Sequence, residues 1–331
     1  MKTSSFPALL EKFFTERLMR QRQASSHTIC SYRDTFRLLL RFAKERLNKA
    51  PSSLQLDEVN SPLITAFLDD LEINRRISVR SRNLRLTAIR SFFRYAAYEE
   101  PGHSEQIQRV LAIPEKRCTK TLVQFLSRPE VDALLAAPDR RTWFGRRDHA
   151  LILMAVQTGL RLSELTGLKC QDLQFGTGSH VRCIGKGRKE RCTPLTKQTV
   201  AVLKAWLRET IQSSDQWVFS TARGSRLSSD AVQDLLAKYH ILAAKGCPSL
   251  RNKRVTPHLL RHTLAMELLH AGIDQSVIAL WLGHESVETT QIYLKADLAL
   301  KEKILTKTSP HATGTHRFKA GDALLAFLES L

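Results

Sequence analysis

The chain has 331 residues, 43% of them hydrophobic, and carries a net charge of +19 with a pI near 10. A length beyond what one core fills points to two domains. The excess of Lys and Arg points to nucleic acid, whose phosphates release counterions when neutralised. The longest unbroken apolar run, Ala150 to Val156, is too short for a membrane span, so no membrane partner is expected. Met1 to Pro7 has no apolar signal core, and none of the six cysteines forms a C-x-x-C pair. Reduced thiols in a cytoplasmic protein are therefore expected.

Residues 1–113 read as helical throughout. Leu9, Leu10, Phe13, Phe14 and Leu18 recur at helical spacing within Pro7 to Met19, and Ile29, Tyr32, Phe36, Leu39, Leu40 and Ala43 do so after Ser26. Ser61-Pro62 reads as a cap followed by proline at the first helical position. Ser78 should cap a fourth helix reaching about Tyr98, with Leu84, Ala88, Ile89, Phe92, Phe93 and Ala96 as its apolar face. That helix also carries Arg80, Arg82, Arg85, Arg90 and Arg94, with almost no acids among them. The row is either a solvated face or, as the overall charge favours, a surface for the DNA backbone.

Residues 114–126 lack periodicity and read as a linker. Ser127-Arg128-Pro129-Glu130 then has the form of a capping box. Asp148 is expected to cap a buried helix over Ala150 to Val156, and Gly159 to end it in the left-handed conformation, leaving Arg161 at a sharp break. The β-structure follows as Asp172 to Phe175, His180 to Ile184 and Arg191 to Leu195. Glycines flanking Lys186 allow a tight hairpin that presents the lysine. Helices resume over Lys197 to Ile211, and from a cap at Ser228 or Ser229 to about Ala244.

Thr256 and Pro257 suit a helix start, placing His258 and Arg261 on one face of the first turn, where helix amides favour an anion. Gly272 ends that helix, Asp274 caps the next, and Gly283 stops it before His284; Tyr293 follows nine residues on. His258 and His262 have the spacing of a helical zinc site. The residues between them are Leu259, Leu260 and Arg261, with no glutamate base and with a cation where a metal would sit. No metal is expected.

Together, the segments Thr158 to Leu165, Gly185 to Arg191, His258 to Thr263, Leu282 to His284, and Tyr293 resemble the tyrosine recombinase (phage integrase) family, near its Xer-type and transposon-associated members. They stand in the family's order over residues 158–293. The resemblance implies a mainly α protein. An N-terminal helical SAM-like core-binding domain would occupy 1–113. A mixed α/β catalytic domain with a small antiparallel sheet would occupy 127–308, and a tail helix 309–331, docked on its own domain or exchanged between protomers.

It further implies that Arg161 and Arg261 hold the nonbridging oxygens of the scissile phosphate, a task suited to a planar, permanently charged fork. Lys186 would protonate the departing 5′ oxygen, with Lys189 or Arg188 as competitors. His258 would assist proton transfer from the nucleophile, His284 would orient phosphate or nucleophile, and Tyr293 would be the nucleophile. A phenol needs such help, since its pKa is near 10. His262 reads as a core histidine and Glu164 as a buttress of the turn. The implied activity is site-specific strand cleavage and rejoining through a 3′-phosphotyrosyl link and a Holliday junction, for integration, excision or transposition of mobile DNA. No cofactor is implied. The implied partners are double-stranded DNA with inverted repeats and a homotetramer, with or without sister recombinases, in the cytoplasm on the nucleoid. The alternatives are a type IB topoisomerase-like strand transferase and a DNA-binding protein with a dead site.

Overall fold

The computed structural model describes residues 5–118, 123–185, 190–210 and 215–283. The chain divides into two units, Met1–Lys120 and Thr121–Leu331, and each builds its own apolar core. No helix among the described residues is long and apolar enough to cross a membrane.

The first unit is helical. Helix α1 (Phe6–Lys12) runs on into a π-helical stretch, Phe13–Gln21, and is followed by α2 (Ser26–Leu47), α3 (Ser61–Ile73), α4 (Val79–Glu99) and α5 (Ser104–Leu111). Phe92 of α4 anchors the core. Its ring meets Phe6, Phe13, Phe36 and Phe93 edge-on at centroid distances of 5.3–5.5 Å, the arrangement that aromatic quadrupoles favour. Ser78 caps α4 through the amide of Ser81. Two caps lie one residue earlier than expected: Ser25 caps α2, and Asn60 caps α3 by accepting from the Leu63 amide at 3.1 Å. Helix α5 falls within the stretch read as helical, though no separate helix was assigned there. It is short and polar, and only Ile107 and Val110 are buried.

The reading of α4 needs two corrections. Leu84, assigned to the apolar face, is 61% exposed, whereas Leu86 is buried. Arg82, assigned to a DNA face, is buried. Its Nη1 donates to the Pro114 carbonyl at 3.1 Å, and its Nε lies 3.7 Å from Glu72. Arg85 donates to Ser31 O and Thr35 Oγ1, and Arg90 to Ile113 O and Glu115. Arg80 and Arg94 are exposed. The helix thus turns three of its arginines onto backbone carbonyls of the same unit.

The second unit is built around α7 (Trp143–Thr158), whose residues Asp148 to Ala155 are all buried. Against it pack α6 (Arg128–Ala136), α9 (Lys197–Thr210) and α11 (Pro257–His270). The short α8 (Leu162–Thr166), α10 (Ser229–Gly246) and α12 (Gln275–Leu282) complete the helices. Strands β1 (Leu173–Gln174), β2 (His180–Ile184) and β3 (Glu190–Pro194) form one antiparallel sheet in that order, with Cys183 opposite Arg191. Asp148 does not cap α7. Thr142 does, by accepting from the Gly145 amide, and Asp148 lies inside the helix between Arg147 and the Tyr239 hydroxyl, 2.8 Å from each. A buried carboxylate requires such partners. The capping box at Ser127 and Glu130 is formed. Glu130 also binds Lys253 and Ser249, which holds its carboxyl at about 2 although burial alone would raise it. Lys253 thereby fastens the entry to α11 onto the start of α6.

Candidate active site

Three helix ends meet in the second unit: two C-terminal ends, which leave backbone carbonyls without helical partners, and one N-terminal end, which leaves amides. Helix α7 stops at Gly159, at φ +62°, and α12 stops at Gly283, at φ +65°. Glycine is needed at both for conformation and for space. A Cβ at Gly159 would come within 2.7 Å of Leu282 and 2.9 Å of Leu264. The third is the start of α11, capped by Thr256, whose hydroxyl accepts from the Leu259 amide at 3.1 Å.

Arg261, one turn into α11, is 4% exposed. It donates from Nη1 to Gly159 O at 2.6 Å and from Nη2 to Leu282 O at 2.5 Å. One guanidinium thus joins the ends of α7 and α12, where the helix dipoles favour a cation. Arg161 stands at the N-cap of α8 and reaches the same place from the other side. Its Nη2 donates to Gly283 O at 2.7 Å and its Nη1 to Glu164 Oε1 at 3.0 Å. The two arginines, distant in sequence, therefore hold adjacent carbonyls of one helix terminus. Arg161 keeps 29% of its side chain exposed.

Glu164 is the negative centre of the cluster. Its Oε2 accepts from the Arg161 amide at 2.7 Å, and Arg191 on β3 binds it with both Nη atoms, at 2.9 and 2.7 Å. Burial would raise the Glu164 carboxyl, but these hydrogen bonds and the two guanidinium charges take it below its ordinary value. The Arg191 guanidinium also lies against Gly185 and Gly283. A Cβ on either would stand 3.0 or 2.8 Å from the same Nη1.

Of the residues expected to carry chemistry, Arg161 and Arg261 come together here. His258 is exposed on the first turn of α11, its ring 4.1 Å from that of His262. Lys186, His284 and Tyr293 lie outside the described residues, as do the competing Arg188 and Lys189 and the tail 309–331. Lys186 follows Gly185 directly in the chain, and His284 follows Gly283. Among the described residues, no three His, Cys, Asp or Glu side chains gather in a way that could hold a metal ion. The sequence reading passed over Arg191, treating it only as the start of a strand. The available signal was its register: it pairs with Cys183 on the inward face of the sheet, where a charge demands a buried counterion.

Residues 124–299 match the model of the phage integrase family, and residues 12–100 match the phage integrase N-terminal SAM-like domain. An integrase/recombinase of Sinorhizobium fredii, y4rC, is 66% identical over 330 residues, covering 100% of this chain and 99% of its own. The tyrosine recombinase XerC of Chlamydia muridarum is 32% identical over 316 residues, covering 90% and 96%. Among solved structures, XerH site-specific recombinase bound to palindromic difH substrate in a post-cleavage complex superposes with a TM-score of 0.70 at 22% identity, covering 86% of this chain and 81% of that one.

Proposed function

The chain belongs to the phage integrase family of tyrosine recombinases, and from that premise we propose that Tyr293 cleaves DNA at a scissile phosphate gripped by Arg161 and Arg261. The protein is a site-specific recombinase that breaks and rejoins DNA strands. The observation that carries the proposed roles is the convergence of Arg161 and Arg261 on the carbonyls of Leu282 and Gly283, immediately before His284.

In this reading the Tyr293 hydroxyl attacks phosphorus, a 3′-phosphotyrosyl bond forms, and the 5′ oxygen leaves with a proton from Lys186. His258 takes the phenolic proton, and His284 orients the phosphate. The two guanidinium groups offset the negative charge that builds on the phosphorane, the preorganised electrostatic role in which such donors contribute most. The link conserves the phosphodiester's energy, so the reverse attack by a 5′ hydroxyl from another strand completes the exchange. The substrate is duplex DNA with inverted repeats, bound by a homotetramer that passes through a Holliday junction, alone or with sister recombinases. The task is integration, excision or transposition of mobile DNA in the cytoplasm, on the nucleoid. Arg80 and Arg94, exposed on α4, contribute to the DNA grip of the first unit, and the tail 309–331 docks on a neighbouring protomer.

A nicked suicide duplex, with its sequence selected by binding of the purified protein to random duplex DNA, tests this. Wild-type protein should form a covalent adduct that Tyr293→Phe abolishes. Absence of the adduct, or its survival in that variant, refutes the assignment. Deleting residues 310–331 should impair recombination more than DNA binding, and equal loss of both would remove the tail's proposed role in assembly.

A further inference from the structure

The reaction above leaves Arg191 without a task, yet its ion pair with Glu164 is the closer of the two that this carboxylate makes. Glu164 carries one negative charge and faces two guanidinium groups. Arg191 occupies both carboxylate oxygens with two parallel N–H bonds, and only 9% of its side chain is exposed. The Arg161 side chain reaches the carboxylate through Nη1 alone, while its backbone amide takes Oε2. A two-point fork is the geometry an arginine–carboxylate pair prefers. With Arg191 absent, the open geometry for Glu164 is a fork with Arg161, and a buried pair of that kind has no net charge to offer a phosphate. With Arg191 present, the three groups together keep a net charge of +1.

We infer that Arg191 is a positioning residue: by occupying Glu164 from β3, it keeps Arg161 free to point its charge at the DNA phosphate. The same guanidinium lies against Gly185, where the hairpin towards Lys186 begins, and Gly283, where α12 ends. A side chain at either glycine would crowd it. The inference rests on the reading of Arg161 as a phosphate ligand.

The test is the single-turnover rate of covalent adduct formation at saturating concentration of the same nicked duplex. Arg191→Met should slow it about a hundredfold, the scale of losing one preorganised donor. The Kd for the same duplex should stay within about threefold, because a loss confined to the transition state leaves ground-state binding intact. Adding Glu164→Gln to Arg191→Met removes the charge that captures Arg161, and should return the rate to within about tenfold of wild type. Arg191→Lys should fall between, since an ammonium cannot form the fork. Rates are taken below each variant's melting temperature. If Arg191→Met does not fold, Arg191→Lys with and without Glu164→Gln carries the comparison. A double variant as slow as its single parent refutes the inference, because a merely structural clamp gains nothing from losing its second half. So does an Arg191→Met variant that cleaves at the wild-type rate. Arg161→Ala separates the premise: if it cleaves like wild type, the phosphate role and the inference fall together. If it is inert and the double variant is not rescued, only the inference falls.

Discussion

Two sets of arginines divide this protein's charge, and they are spent differently. On α4, Arg82, Arg85 and Arg90 donate to carbonyls and side chains of neighbouring segments, among them Pro114, Ser31 and Ile113. They fasten polypeptide to polypeptide. In the second unit, Arg161 and Arg261 also bind carbonyls, but these are the open ends of α7 and α12, and Arg161 remains partly exposed. The two sets differ in their acceptors: Arg161 and Arg261 hold the last carbonyls at two helix ends, and Arg161 also shares Glu164 with Arg191.

The comparison can be broken at either set. The largest effect is expected at Arg161, where Arg161→Ala should slow adduct formation about 10²–10³-fold. A loss under tenfold would place Arg161 with the α4 arginines. Acid should next act through the second unit. Glu130 is 1% exposed and held at about 2 instead of 4.5. Its stabilisation is present above 4.5 and is lost as pH falls towards 2, up to about 3 kcal/mol in all. Lys253→Met should flatten that acid limb in urea unfolding, and an unchanged slope would show that Lys253 does not hold the carboxyl low.

Arg82→Met should cost about 1–3 kcal/mol in the same measurement, by leaving the Pro114 carbonyl without its buried donor. It should leave the salt dependence of DNA binding unchanged, and a shallower dependence would return Arg82 to the DNA face. Arg80→Ala and Arg94→Ala should do the opposite, each lowering the slope of log K against log salt by about one. Their stability should stay within about 0.5 kcal/mol of wild type. Smallest of all, Leu84→Glu should be nearly neutral in unfolding, within about 0.5 kcal/mol, because that side chain is already in water.

Much of the fold is legible locally. Thr256, Ser78 and the Ser127–Glu130 box cap helices where their residue types say they should, and Gly159 and Gly283 end helices at positive φ. These features depend on a few neighbouring residues, so spacing alone exposes them. The misplaced features are those that tertiary contacts decide. Leu84 fits a helical period but not the side on which the aromatic core lies. Asp148 resembles a cap by type, yet it stays inside α7 because Arg147 and Tyr239 satisfy it there.

The candidate site divides in the same way. The side-chain types proposed to act, and the helix ends at Gly159 and Gly283, follow from the sequence by itself, since side-chain type and helix punctuation are local properties. Which guanidinium groups are consumed is a tertiary matter. Arg161 finds its carbonyl 122 residues away at Gly283, and Arg191 finds Glu164 across 27. A guanidinium's availability is set by the acceptors that folding brings to it; a backbone oxygen such as that of Gly283 is carried by every residue, and a carboxylate such as Glu164 has several arginines to choose from, so residue type along the chain does not announce the pairing.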